Sequence, residues 1–182
     1  MYRLPTLLLT AASAMMLYSC EKLGICKDRN LQVDREIYQG NRLRIDGYYF
    51  APSDTDDNGL QLNEIVVLYK SGVAGFPGNA SAGHEDDYLH LTSGSADLRQ
   101  SKGAWGTFRV TDSSLYLCKW KPALCGYPAV QRTCEIINDT TFIVHSTDIK
   151  GKHGTGTIEK DVIFRFRHFY PKPDSLNDFI KN

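Results

Sequence analysis

Five cysteines hold most of the chemistry legible in this chain, and they divide by position. Cys20 ends an N-terminal run in which Arg3 supplies a positive charge, Leu7 to Leu17 supply an apolar stretch, and Leu17-Tyr18-Ser19-Cys20 closes it. That layout is an export signal. The ending resembles a lipobox, in which a small residue precedes a Cys that is lipidated and becomes the first residue of the mature chain. The apolar stretch is shorter than the roughly 20 residues a transmembrane helix needs. Residues 1–19 are therefore expected to be a lipoprotein signal peptide, with acyl chains such as palmitate on Cys20 as the membrane tie. Each buried CH₂ of those chains adds about 0.8 kcal/mol. The other four, Cys26, Cys118, Cys125 and Cys134, are an even set in an exported chain, which predicts two disulfides. Cys118 and Cys134 fall on consecutive predicted strands, so Cys118–Cys134 is the favoured pair and leaves Cys26–Cys125.

The remaining reactive residue types do not assemble into a catalytic pattern. His84, His90, His145, His153 and His168 are scattered, with no pair at strand spacing and no H-E-x-x-H helix to hold a metal, and no C-x₂-C stands in for them. No G-x-S-x-G is present, and Gly151–Gly156 lacks the Lys-Ser/Thr ending of a phosphate loop. The expectation is a chain that is not an enzyme and needs no metal or cofactor. With 21 basic and 21 acidic residues and no basic run, nucleic acid is a poor partner. Arg3 is the only charge in residues 1–19, so the mature chain has a formal net charge of −1.

Aromatic residues offer the better binding chemistry. Tyr49, Tyr69, Trp105, Trp120, Phe164 and Phe166 are spread over most of the predicted strands, and an interior lined by them would take an apolar or ring-bearing ligand. The same residues would equally fill a core. Arg165 alternates with Phe164 and Phe166; facing inward it would anchor a carboxylate or phosphate, facing outward it is a solvent charge, and burial of the phenylalanines favours the second.

These residues must be positioned by strands. Leu43, Ile45 and Tyr49 alternate with Arg42, Arg44 and Asp46, the period-2 signature of a half-buried strand. Further strands are predicted at Glu64–Lys70, Trp105–Thr111, Ser114–Trp120, Val130–Asn138, Thr140–Ser146 and Ile158–Tyr170. Residues 20–40 are polar and weakly patterned, a lipidated tether that becomes ordered near Leu31. Gly72, Gly75, Pro77, Gly78 and Gly83 make 71–83 a predicted loop. His84–Thr92 fits a short helix whose first turn is acidic, and Asp174 or Ser175 is placed to cap a second through Ile180. Consecutive hairpin-linked strands without crossover helices form an antiparallel meander, which loses its edges by closing. The expected fold is thus an all-β, up-and-down, lipocalin-like barrel over residues 41–182 with one or two short helices; a two-sheet β-sandwich is the alternative.

Four segments in order, Arg44-Ile-Asp-Gly-Tyr-Tyr-Phe50, Trp105-Gly-Thr-Phe-Arg-Val110, Ile136-Ile-Asn-Asp-Thr-Thr-Phe142 and Lys172-Pro-Asp-Ser175 followed by Phe179-Ile180, resemble a group of small, mostly uncharacterised lipocalin-like lipoproteins of Bacteroidota. The resemblance implies a small β-barrel and an outer-membrane location, on the periplasmic or cell-surface face, and brings no catalytic residues. Asp174-Ser175-Leu176, and less so Asp139-Thr140-Thr141, also resemble the short O-glycosylation signal of that phylum. The function expected is a non-enzymatic envelope module that binds a small apolar or amphipathic ligand. The alternative is a filled-core module that docks another envelope or surface protein.

Overall fold

Alternation of buried and exposed side chains runs through eight consecutive strands, and in the computed structural model these close on themselves. Residues 28–92, 95–124, 126–151 and 154–181 are described. The strands are β1 (Gly47–Thr55), β2 (Gln61–Leu68), β3 (Val73–Ser81), β4 (Trp105–Thr111), β5 (Ser114–Trp120), β6 (Ala129–Asn138), β7 (Thr141–Gly151) and β8 (Gly154–His168). Each pairs antiparallel with the next, and β1 pairs with β8 through Tyr49 opposite Phe166. The barrel is closed, as the meander argument expects, and the sandwich is excluded. Two short helices, α1 (Glu85–Thr92) and α2 (Ala96–Gln100), and a 3₁₀ turn (Lys102–Ala104) lie between β3 and β4.

The barrel wall separates two cores. The inner one gathers Tyr49, Val66, Leu68, Phe76, Phe108, Leu115, Leu117, Phe142 and Phe164 from successive strands. Phe142 and Phe164 stack at 4.9 Å with their rings 9° apart, and Tyr49 packs on Phe142 at 5.0 Å. The outer core lies on the other face of β1–β4, where Tyr48, Ile65, Val67, Tyr69, Val73 and Trp105 are covered by Leu89 of α1 and by Phe169. Glu85 fastens this cover. Its buried carboxylate accepts from Asn63 Nδ2 at 2.5 Å, the Gly83 amide at 3.1 Å and Arg167 Nη1 at 2.9 Å. A buried carboxylate with three donors keeps its charge, so the acidic first turn of α1 is a structural latch.

Four sequence expectations need correction. The 71–83 segment is largely strand: β3 keeps its ladder because its breakers fall where pairing lapses. Pairing with β4 ends at Gly75, the β2 register shifts between Ile65 and Val67, and Pro77 lies in that gap, where its missing N–H costs no ladder bond. Residues 43–46 precede β1, and Leu43 plugs the barrel end instead of pairing along its wall. The chain from Asp174 forms no helix. Asn177 Oδ1 accepts from the amides of Phe179 and Ile180 at 2.9 and 2.6 Å, a local side-chain bond that competes with helix formation in so short a segment.

The fourth correction is the Cys118–Cys134 disulfide. Both thiols are free and buried. Their strands are neighbours, as expected, but Cys118 is opposite Gln131 and Cys134 opposite Leu115. Cys134 therefore faces the inner core, whereas Cys118 faces outward under Val33 and accepts the Gln32 amide at 3.4 Å. Side chains on opposite faces of a sheet cannot bridge. Burial pushes the Cys134 thiol up to about 12 and raises that of Cys118, so both are poor nucleophiles. Cys118 and Cys134 are expected to resist iodoacetamide in the native protein and to alkylate fully after denaturation without reductant, read by peptide mapping; a cross-linked 118–134 peptide would contradict this. Cys20, Cys26 and Cys125 lie outside the described residues, as do the lipidation and the second disulfide predicted for them.

Candidate functional site

The two ends of the barrel differ. One is sealed by the strap that precedes β1. Tyr38 and Leu43 insert into the inner core, and the Leu43 amide donates to Tyr38 Oη at 2.7 Å. Tyr49 Oη lies 2.8 Å from the Asp139 carbonyl and 3.1 Å from that of Arg44. The Arg44 guanidinium covers the Phe166 ring at 4.6 Å. Aromatic side chains and a two-ended hydrogen-bond clamp pack this end.

The other end carries the β1–β2, β3–β4, β5–β6 and β7–β8 connections, and its inner face is charged. Glu64 shares its strand face with Val66 and Leu68, Lys119 with Leu115 and Leu117, and Arg132 with Cys134, so the alternation that buries those residues aims all three charges into the barrel. Glu64 Oε1 accepts from Lys119 Nζ at 3.2 Å and its Oε2 from Arg132 Nη2 at 3.0 Å. The three side chains are only 17–22 % exposed. Lys119 Nζ also lies 4.6 Å over the ring of Phe76, so the charged layer rests directly on the apolar core. Val130 is opposite Lys119 and Ile149, while Thr147 is opposite Arg132 and Ile158, which places Val130, Ile149 and Ile158 on the same inner face. Ile158 is nonetheless 55 % exposed. An inward-facing aliphatic side chain in solvent marks this end as open.

The electrostatics of this mouth are unbalanced. One carboxylate faces two cations, leaving one net positive charge. Burial alone would raise the Glu64 pKa, but Arg132 and then Lys119 outweigh it and hold the carboxylate below its ordinary range. Lys119 is lowered, first by burial and also by the neighbouring Arg132, against the pull of Glu64. Arg132 Nη1 is sealed from solvent and meets no acceptor among the described residues. An unpartnered buried donor costs about 1–3 kcal/mol, more when charged. An anionic oxygen brought to the layer would offset the surplus charge. The layer is thus chemically suited to a carboxylate or phosphate.

The predicted aromatic residues divide between the two faces. Tyr49, Phe164 and Phe166 point inward but stand at the sealed end, in mutual contact. Tyr69 and Trp105 belong to the outer core. Trp105 Nε1 donates to the Leu98 carbonyl at 2.8 Å. Trp120 is also on the outer face, where its Nε1 donates to the Arg29 carbonyl at 2.7 Å and Lys102 sits 4.6 Å over its ring. These three do not line the interior: their strand parity opposes that of Phe108 and Leu117, and a strap and helices cover them. Arg165 is exposed on the outside, the orientation the phenylalanines favoured.

Glu64, Lys119 and Arg132 were missed. The signal was present as parity: each stands two residues from a buried apolar residue on its own strand, a pattern that an emphasis on aromatics passes over. Elsewhere, His145 pairs on the outer wall with Asp161 at 2.7 Å and Glu135 at 3.1 Å. Asp161 first and Glu135 second raise its pKa, and with both ring nitrogens engaged it reads as a surface imidazolium pair. A cleft of about 300 Å³ beside the strap, at the strap-covered end of the barrel, is lined by Tyr38, Phe108 and Val110 and by a balanced set of charges, Glu36, Arg42, Arg109 and Asp112. Of the sugar-attachment candidates, Ser175 and Thr140 are both half-buried.

No family model, curated protein or solved structure matches the chain.

Proposed function

We propose that this chain is a lipid-anchored envelope lipoprotein, tied by acylated Cys20 to the outer membrane, whose barrel is a non-catalytic binding module for a small amphipathic ligand with an anionic head. The observation that carries the reading is the mouth: an open barrel end whose floor is a Glu64–Lys119–Arg132 layer with one surplus positive charge. The filled inner core beneath Phe76 confines the ligand to the mouth, so its tail lies against Val130, Ile149 and Ile158 and not deep in the barrel. The export signal, the likeness to lipoproteins of Bacteroidota and the closed eight-strand barrel agree with this reading. The head is read by charge-assisted hydrogen bonds, which are roughly twice as strong as neutral ones.

The test is a pair of calorimetric titrations of the mature chain with dodecanoate and with dodecanol, which share a tail and differ in charge. Dodecanoate is expected to bind at least tenfold more tightly, a difference of about 1.4 kcal/mol. Equal affinities would remove the role of the charged layer. Binding of neither would leave the filled-core docking module as the better account.

A further inference from the structure

We infer that the barrel mouth faces the bilayer that holds the lipid anchor, and that the rim of the mouth rests on that surface. The inference depends on Cys20 being acylated, and its first observation is where the described chain begins. Asp28 Oδ1 accepts the Tyr127 amide at 3.0 Å, and the Arg29 amide donates to the Tyr127 carbonyl at 2.9 Å. Arg29 also takes the Trp120 indole N–H, and Asp28 pairs with Lys102. Tyr127 belongs to the β5–β6 connection, and Trp120 adjoins Lys119 of the charged layer. The tether therefore leaves the barrel at the mouth. From there the strap descends the outer wall, with Thr107 Oγ1 donating to the Val33 carbonyl at 2.5 Å and the Tyr38 amide to the Lys70 carbonyl at 2.9 Å, and seals the far end.

Chain length then favours the mouth. Eight residue steps separate Cys20 from Asp28, a reach of at most about 29 Å when fully extended. The wall from Trp120 to Ser114 alone measures about 20 Å at 3.4 Å per residue. Presenting the sealed end to the bilayer would require the tether to lie straight back along the barrel. Presenting the mouth requires no extension at all.

The rim presents aliphatic side chains alongside the exposed carboxylates of Asp54 and Asp57. Leu60 of the β1–β2 turn is 58 % exposed and Leu124 of the β5–β6 connection is fully exposed. Asp56 fixes the first of these turns by accepting the amides of Asn58 and Leu60, so the leucine is held outward. Two aliphatic side chains on separate connections, beside the tether's exit, form an apolar footing. The charged layer would then meet an anionic headgroup or fatty acid directly from the bilayer, without passage through water.

The test uses the acylated full chain in phosphatidylethanolamine/phosphatidylglycerol vesicles containing a diazirine phospholipid. Intact mass first establishes diacylglycerol on Cys20. After photolysis, cross-links are expected in the peptides that contain Leu60 and Leu124, and not in those spanning the sealed-end turns at 112–113 and 139–140. A Leu60→Ser/Leu124→Ser variant should keep the acyl mass and lose most of the cross-linking. With acylation established, cross-links at the sealed end, or none anywhere, would overturn the orientation while leaving the ligand site standing. An unacylated Cys20 would remove the anchor and this inference with it.

Discussion

Replacing Glu64 with leucine is expected to destabilise the protein by about 3–5 kcal/mol in urea unfolding, because breaking a buried ion pair strands its partners. Here two are stranded: Lys119 and Arg132 would face each other across the inner face, above Phe76, with no counter-charge. The acid limb should change as well. The Glu64 pKa is held low in the folded protein, so its ion pairs stabilise at pH above the unfolded glutamate value of about 4.3, and that contribution is lost as pH falls through the lower folded value. Wild type should therefore lose stability in that window more steeply than Glu64→Leu does. The companion experiment is the triple variant Glu64→Leu/Lys119→Met/Arg132→Met. A buried ionic cluster replaced by apolar groups of similar size is often neutral or stabilising by about 1–4 kcal/mol. The triple variant is thus expected to unfold at a urea concentration no lower than wild type. A charged layer that can be removed without loss of stability would be consistent with the proposed ligand site.

Phe164→Ala is the second large effect. Phe164 is fully buried, stacked on Phe142, and part of the aromatic group that closes the lower barrel. Truncating a buried phenylalanine costs about 3–5 kcal/mol from lost transfer energy and the cavity left behind. The upper part of that range is expected, because the strap residues Tyr38 and Leu43 and the clamped Tyr49 resist collapse into the space. The outward Arg165→Ala, one residue along the same strand, should stay within about 0.5 kcal/mol. Equal costs at the two positions would mean that the inner face has been misassigned.

Much of the fold was legible because period-2 patterning is strong in β4 to β8 and the connections between those strands are short. Phe164, Phe166 and Arg165 behave as their alternation predicts. What was not legible depends on tertiary partners. Gly75, Pro77 and Gly78 look like a loop until it is known that β3 parts from β4 there. Trp105, Trp120 and Tyr69 look like interior residues because hydrophobicity does not say which face of a wall is covered. Their cover comes from helices and a strap distant in sequence, and that second core makes the outer face apolar too. The cysteine pairing failed for the same reason, since Cys118 and Cys134 differ in strand parity once the hairpin register is fixed. The charged layer escaped notice because its members are 55 and 13 residues apart and each reads alone as an ordinary surface charge.

The role proposed for Glu64, Lys119 and Arg132 is that of a binding floor, beyond packing. Its most direct measurement is a calorimetric titration of dodecanoate into the Glu64→Leu/Lys119→Met/Arg132→Met variant, beside wild type. A folded variant whose dodecanoate affinity falls at least tenfold, to the level of dodecanol, is expected. A folded variant that binds dodecanoate as tightly as wild type would contradict it.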